Sequence, residues 1–106
     1  MTDIIRAYHF VGTTLRDGRP IPPDGEWLVH DGPVIACGSG LHACRDPFDA
    51  IGYARGSTLC RVECRGDIVE ISDKLVCRER RSVARIDATA ILRTFARQCA
   101  ADVVHL

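Results

Sequence analysis

The residues with chemistry to offer concentrate in one stretch, from Cys37 to Ala54. It joins a glycine-rich turn (Gly38-Ser39-Gly40), a short extended piece bearing His42 and Cys44, and a helix start at Asp46-Pro47 with Tyr53 downstream. Backbone N–H groups at a helix start, beside Arg45, can receive an anionic group such as a phosphate. Asp46 opposes that use, because a carboxylate at the N-cap occupies the same donors. His42 has a plainer alternative, a strand position with a satisfied hydrogen bond, and both readings stay open here.

Other chemistries are weaker. A nucleophilic cysteine needs a stabilised thiolate, and Cys44, two residues before the helix cap, is the one cysteine with such a setting. Extended backbone would also put His42 and Cys44 on one face, which suits burial beside a core equally well. Six cysteines and four histidines raise the question of zinc, yet there is no Cys-x-x-Cys pair. Cys60 and Cys64 on a strand would sit about 13 Å apart, too far for both to hold one ion. Distant pairs such as His42 or Cys44 with Cys77 are left open, and no metal is assigned. Glu63, Asp67 and Glu70 are spaced as outward or turn residues, so no acid–base carboxylate pair is visible. Arg78, Arg80, Arg81 and Arg85 read as a solvated edge or as a contact patch for an acidic partner.

These groups need elements to position them. Ile4 to Val11 is rich in β-branched and aromatic residues and ends at Gly12, which predicts a strand with His9 on the face of Ile5, Ala7 and Val11. Residues 16–25 hold Asp17-Gly18, Pro20, Pro22-Pro23 and Asp24-Gly25, the punctuation of a loop. Glu26 to His30 and Val34 to Cys37 flank Asp31-Gly32-Pro33, which predicts a β-hairpin. Asp46 and Pro47 cap a helix expected to reach about Ala54, burying Phe48, Ile51 and one of Tyr53 or Ala54. Thr58 to Cys64 alternates as a half-buried strand. Gly66-Asp67 and Ser72-Asp73-Lys74 are expected turns around short strands at 68–71 and 75–77. Asp87 is the expected cap of a helix reaching about Ala101 that buries Ala88, Ile91, Leu92, Phe95 and Cys99, with Arg93, Arg97 and Gln98 outside.

The chain of 106 residues, 46% hydrophobic and 26% charged, has room for one core and the composition to build it. Fourteen basic and fourteen acidic side chains cancel, so broad nucleic-acid binding through phosphates is not expected. All the basic residues except Lys74 are arginine, which fits either planar recognition of phosphate or carboxylate or simply an arginine-favouring composition. No window is apolar enough for a membrane span, and the N-terminal residues lack a secretory pattern. A cytoplasmic protein with free, mostly buried thiols is expected.

Cys37, Gly40-Leu41-His42-Ala43-Cys44, Pro47, Tyr53, Val62-Glu63, Gly66 and Asp73-Lys74 resemble an uncharacterised domain family of bacterial and phage genomes with a Gly-x-His-x-Cys turn followed by a short helix. The resemblance covers roughly residues 34 to 86 and implies a phage or prophage setting. A fainter resemblance runs to the ADP-ribosyltransferase-like fold, including RNA 2′-phosphotransferases, whose strand with an aromatic-His pair is similar to Tyr8-His9 and whose second His precedes a helix as His42 does. It implies that His9 and His42 lie in a nucleotide cleft with Tyr53 behind them. The transferases' catalytic Glu and the phosphotransferases' paired Arg have no matching position here.

The expectation is thus an α+β domain, a curved, mostly antiparallel sheet with two helices. Its ligand cleft would be formed by His9, Ser39, His42, Arg45 and Tyr53 for a nucleotide-like molecule, with NAD one candidate. The competing expectation is a non-enzymatic inhibitor of a host defence or regulatory protein, such as an anti-CRISPR, binding through Arg78, Arg80, Arg81 and Arg85. A plainer one is a domain that supports assembly of a larger complex or homodimer.

Overall fold

Two long strands form the spine of the computed structural model, which describes residues 3–15, 18–35, 39–54 and 56–104. β4 (Thr58–Ile71) and β5 (Lys74–Asp87) run antiparallel over nearly their whole length. Ile71 pairs with Lys74, so the hairpin loop is only Ser72-Asp73, and Ser72 adopts a φ of 38° to make it. Tight hairpin loops demand that left-handed geometry.

β4 is one strand where two were expected. Gly66, at a φ of 85°, sits in a register shift between Arg65 and Ile68, so the Gly66-Asp67 turn is a bulge that bends the strand without reversing it. β5 likewise runs on through Arg78 to Arg85, the segment read from sequence as a solvated edge. Its charges are compatible with an interior strand because they pair across the sheet: Glu63 faces Arg81, and Arg65 faces Glu79.

β1 (Ile5–Val11) flanks β4, with His9 opposite Cys60 and Ala7 opposite Val62. β2 (Leu28–Val29) and β3 (Leu41–Ala43) both pair with β5, giving a five-stranded antiparallel sheet in the order β1-β4-β5-β2 with β3 alongside on β5. The hairpin expected between Glu26–His30 and Val34–Cys37 does not form. Leu28 and Val29 pair with Arg80 and Glu79, and the His30 N–H donates to the Arg78 carbonyl at 2.7 Å. Val34 lies outside the strands, Ile35 bridges only to Ser39, and Cys37 lies outside the described residues. Pro33 explains part of this: it lacks the N–H that a ladder there would use.

After β3 the chain crosses back to β1. Tyr8 and Cys44 exchange two backbone hydrogen bonds of 2.7 and 2.9 Å, so a single bridge links the β3 and β1 ends of the curved sheet. The core between them holds Ala7, Val11, Leu41, Ala43, Cys60, Val62, Cys64, Leu75 and Cys77.

The helices depart from expectation in what they bury. α1 (Pro47–Ile51) starts as predicted, with Asp46 accepting from the Phe48 N–H at 2.8 Å and Pro47 in the first turn, but ends at Gly52. It buries Ala50, while Phe48 is 70% exposed and Tyr53 is exposed too. One turn cannot present a wide apolar face, so the small residue packs and the large ones stay outside. α2 (Thr89–Val104) is capped by Asp87, which accepts from the Thr89 N–H at 2.9 Å and from its hydroxyl. Ala88 is buried and Leu92 half-buried, packed with Phe10, Cys44 and Ala50. From Arg93 to Cys99 every side chain is exposed, and so is Ile91, against the expected burial of Ile91, Phe95 and Cys99. Among the described residues, no helix is long and apolar enough to cross a membrane.

Candidate functional site

The bridge between Tyr8 and Cys44 sets the site. It brings β1 and β3 side by side, and α1 follows two residues later, so side chains distant in sequence meet. His9, His42 and Tyr53 line one cleft, together with Tyr8, Phe10 and Lys74. Its enclosed volume is small, about 20 Å³, beneath a mouth open to solvent.

The electrostatics of this cleft are unusual for a catalytic centre. His9 is pushed down to about 3, first by burial and then by the charges of Arg80 and His42. Its imidazole is therefore neutral at physiological pH, and it can hydrogen-bond but has no proton to give as an acid. Cys44 is pushed up to about 11, chiefly by burial and then by Asp73 and Asp49. A protonated, buried thiol is a poor nucleophile, so the setting that made Cys44 a candidate does not activate it. Tyr53 donates its hydroxyl to Asp73 at 2.7 Å, and the Lys74 ammonium lies 5.1 Å from the centre of its ring.

Arg45 lies in a second cleft of about 200 Å³ that meets the first at Lys74. Asp46, Asp49, Glu70 and Asp73 line it against two cations, and Arg45 is already ion-paired with Glu70. Asp46 is committed to the Phe48 N–H, so the helix start does not serve as an anion receptor. Ser39 stands apart from both clefts: its hydroxyl lies 2.8 Å from His30 Nε2, and its backbone bonds Ile35.

The four arginines expected at a partner surface are engaged within the chain. Arg78 binds Asp67 at 3.0 Å and the carbonyls of His30 and Gly32; Arg85 binds Asp24 and the Pro22 carbonyl. Arg81 binds Glu63, and Arg80 is buried, donating to the His42 carbonyl. These contacts fasten the loop at 22–32 and β3 onto β5. Sequence reasoning passed over Trp27, which lies under two guanidiniums, 3.6 Å from that of Arg65 and 4.6 Å from that of Arg81. It also passed over Lys74 as a cleft residue; its signal is its place beside the hairpin loop, where a strand end meets α1.

The described cysteines Cys44, Cys60, Cys64 and Cys77 are buried free thiols, and Cys99 is an exposed one. Among the described residues, no three His, Cys, Asp or Glu side chains are grouped so as to hold a metal ion.

Comparison with curated proteins and with solved structures finds no match. A family model, the domain of unknown function DUF7666, matches residues 5–94, from the first residue of β1 into α2 and well beyond the 34–86 stretch that carries the sequence resemblance. With that match spanning the whole sheet and the cleft, the chain belongs to the DUF7666 family.

Proposed function

We propose that the protein is a non-catalytic binding module whose cleft at His9, His42 and Tyr53 takes the base of a nucleoside-like ligand. The observation that carries this reading is the convergence of those three side chains, from β1, β3 and the end of α1, in one cleft. Tyr8, Phe10 and Tyr53 supply aromatic surface for a planar ring, and a neutral His9 supplies hydrogen bonding without charge. The enclosed part of the cleft, about 20 Å³, takes little more than a water-sized group, so a ring would rest against the aromatic walls of the open mouth, and a whole dinucleotide would not enter. The carboxylates of the adjoining cleft would repel a diphosphate, which ranks NAD below an uncharged nucleoside.

Isothermal titration calorimetry with adenosine, AMP and NAD tests this. The reading expects affinity to fall in that order and His42→Ala to abolish adenosine binding in a protein that still folds. Equal binding of all three, or none, would remove it.

A second reading, a protein-binding inhibitor of a regulatory or defence protein, is favoured by a different observation. Phe48, Ile86, Ile91 and Phe95 are large apolar side chains left exposed around the two helices, and exposed apolar surface of this kind is common at protein interfaces. In that case Ile91→Glu with Phe95→Glu abolishes capture of a partner while adenosine binding is unchanged.

A further inference from the structure

α2 runs on past the body that anchors its start. Ala88 is buried and Leu92 half-buried in the cluster of Phe10, Cys44 and Ala50, but from Arg93 to Cys99 every side chain is exposed. Among the described residues no ion pair ties α2 to the sheet, and the Thr94 hydroxyl donates within the helix, to the Ala90 carbonyl. A free helical segment of about 12 residues is marginal in water, because most helical stability in proteins comes from packing an apolar face. Such a face exists here. At 3.6 residues per turn, Phe95 and Cys99 prolong the line of Ala88 and Leu92, with Ala96 beside them, so the stripe that packs on the domain continues beyond its edge. The same geometry puts Arg93 and Arg97 on the opposite side of the helix.

We propose that a second copy of this chain covers the stripe, by antiparallel pairing of α2 with α2 about a two-fold axis between Phe95 and Ala96. A two-fold interface has to be complementary to itself, and this stripe is. Antiparallel register about that axis sets Phe95 against the partner's Ala96 and Leu92 against the partner's Cys99, a large side chain facing a small one each time. The arginines of both copies point away from the axis, so no like charges meet. A foreign acidic segment would find no cation within the stripe, whereas a copy needs none.

The area sets the strength. Ile91, 56% exposed, borders the stripe on α2. Ile86, 53% exposed, lies opposite Leu59, which packs in the same cluster as Leu92, so it stands at the end of β5 where the partner's helix would arrive. Two helices overlapping over this length, with those borders, would bury on the order of 1,000 Å² in all, at the low end for specific complexes. The dimer is therefore a weak one, with a Kd of about 10–100 µM. It is independent of the cleft, whose walls at His9, His42 and Tyr53 take no part in it.

The test is sedimentation velocity of the full chain in reductant, from about 1 µM to about 500 µM. The expected result is a monomer at the low end and a dimer at the high end. Phe95→Glu would set two carboxylates beside the axis and weaken association at least about thirtyfold. Arg97→Glu, on the outer side, should change it by less than about threefold. Phe95 is exposed in the single chain, so its replacement leaves the fold intact, which circular dichroism checks. A monomer at about 500 µM, a dimer that Phe95→Glu leaves intact, or one that Arg97→Glu abolishes would overturn the proposal.

Discussion

Two clefts meet at Lys74, and they favour different company. The inner one, between β1, β3 and α1, has aromatic walls and a histidine that burial keeps neutral. The outer one, between α1 and the β4–β5 hairpin, is ringed by four carboxylates, with Arg45 held by Glu70. A neutral planar group is compatible with the first, whereas an anionic chain running outward from it meets the second. The difference teaches that two adjoining clefts of one small sheet can offer opposite electrostatics.

The largest way to break the inner cleft acts through its support. A Cβ at Gly56 would come 2.4 Å from the backbone of Gly12 and from the Val11 carbonyl, where neither side can yield easily. Gly56→Ala is expected to lose about 3 kcal/mol by overpacking, a fall in melting temperature on the order of 10–20 °C in a thermal scan. Both clefts fail together, because β1 carries one wall of the inner cleft and braces α1.

Acid separates the clefts next. His9 falls from 6.5 to about 3 on folding, so the unfolded chain binds the extra proton between those values. Stability is unaffected above 6.5 and declines as pH falls through the window toward 3, by about 2 kcal/mol at about pH 5. Denaturant melts should show that slope in the wild type and lose it in His9→Gln.

Smaller effects sharpen the contrast. Tyr53→Phe removes the bond to Asp73 but keeps the ring, so adenosine affinity measured by calorimetry should stay within about twofold, while Tyr53→Ala lowers it about tenfold. Phe95→Glu, on the uncovered part of α2, should change the unfolding free energy measured in denaturant melts by less than about 0.5 kcal/mol in either direction.

Much of this architecture can be read from the chain. The strand at 5–11, the cap at Asp46-Pro47, the alternation of Thr58 to Cys64 and the Asp87 cap all rest on local preferences that the fold keeps. The convergence of His9, His42 and Tyr53 was expected from resemblance, and the local pattern does not contain it: it depends on one bridge between Tyr8 and Cys44. What misleads is charge in a strand. Arg78-Glu79-Arg80-Arg81 looks like a solvated edge until Glu63, Arg65 and Trp27 arrive from elsewhere in the chain to cover it. The hairpin at 26–37 fails for a similar reason, since β5 offers Leu28 and Val29 a longer edge than Val34 and Ile35 can. The apolar period of α2 is present in sequence, but period alone does not say whether anything covers the face it makes.

The most direct measurement of the cleft is a two-dimensional NMR titration of the labelled protein with adenosine, following the backbone signals of His9, His42, Cys44 and Tyr53. The account predicts that all four move together along one binding curve while signals of α2 beyond Leu92 stay fixed. Unmoved signals at those four residues, or shifts confined to α2, would contradict it.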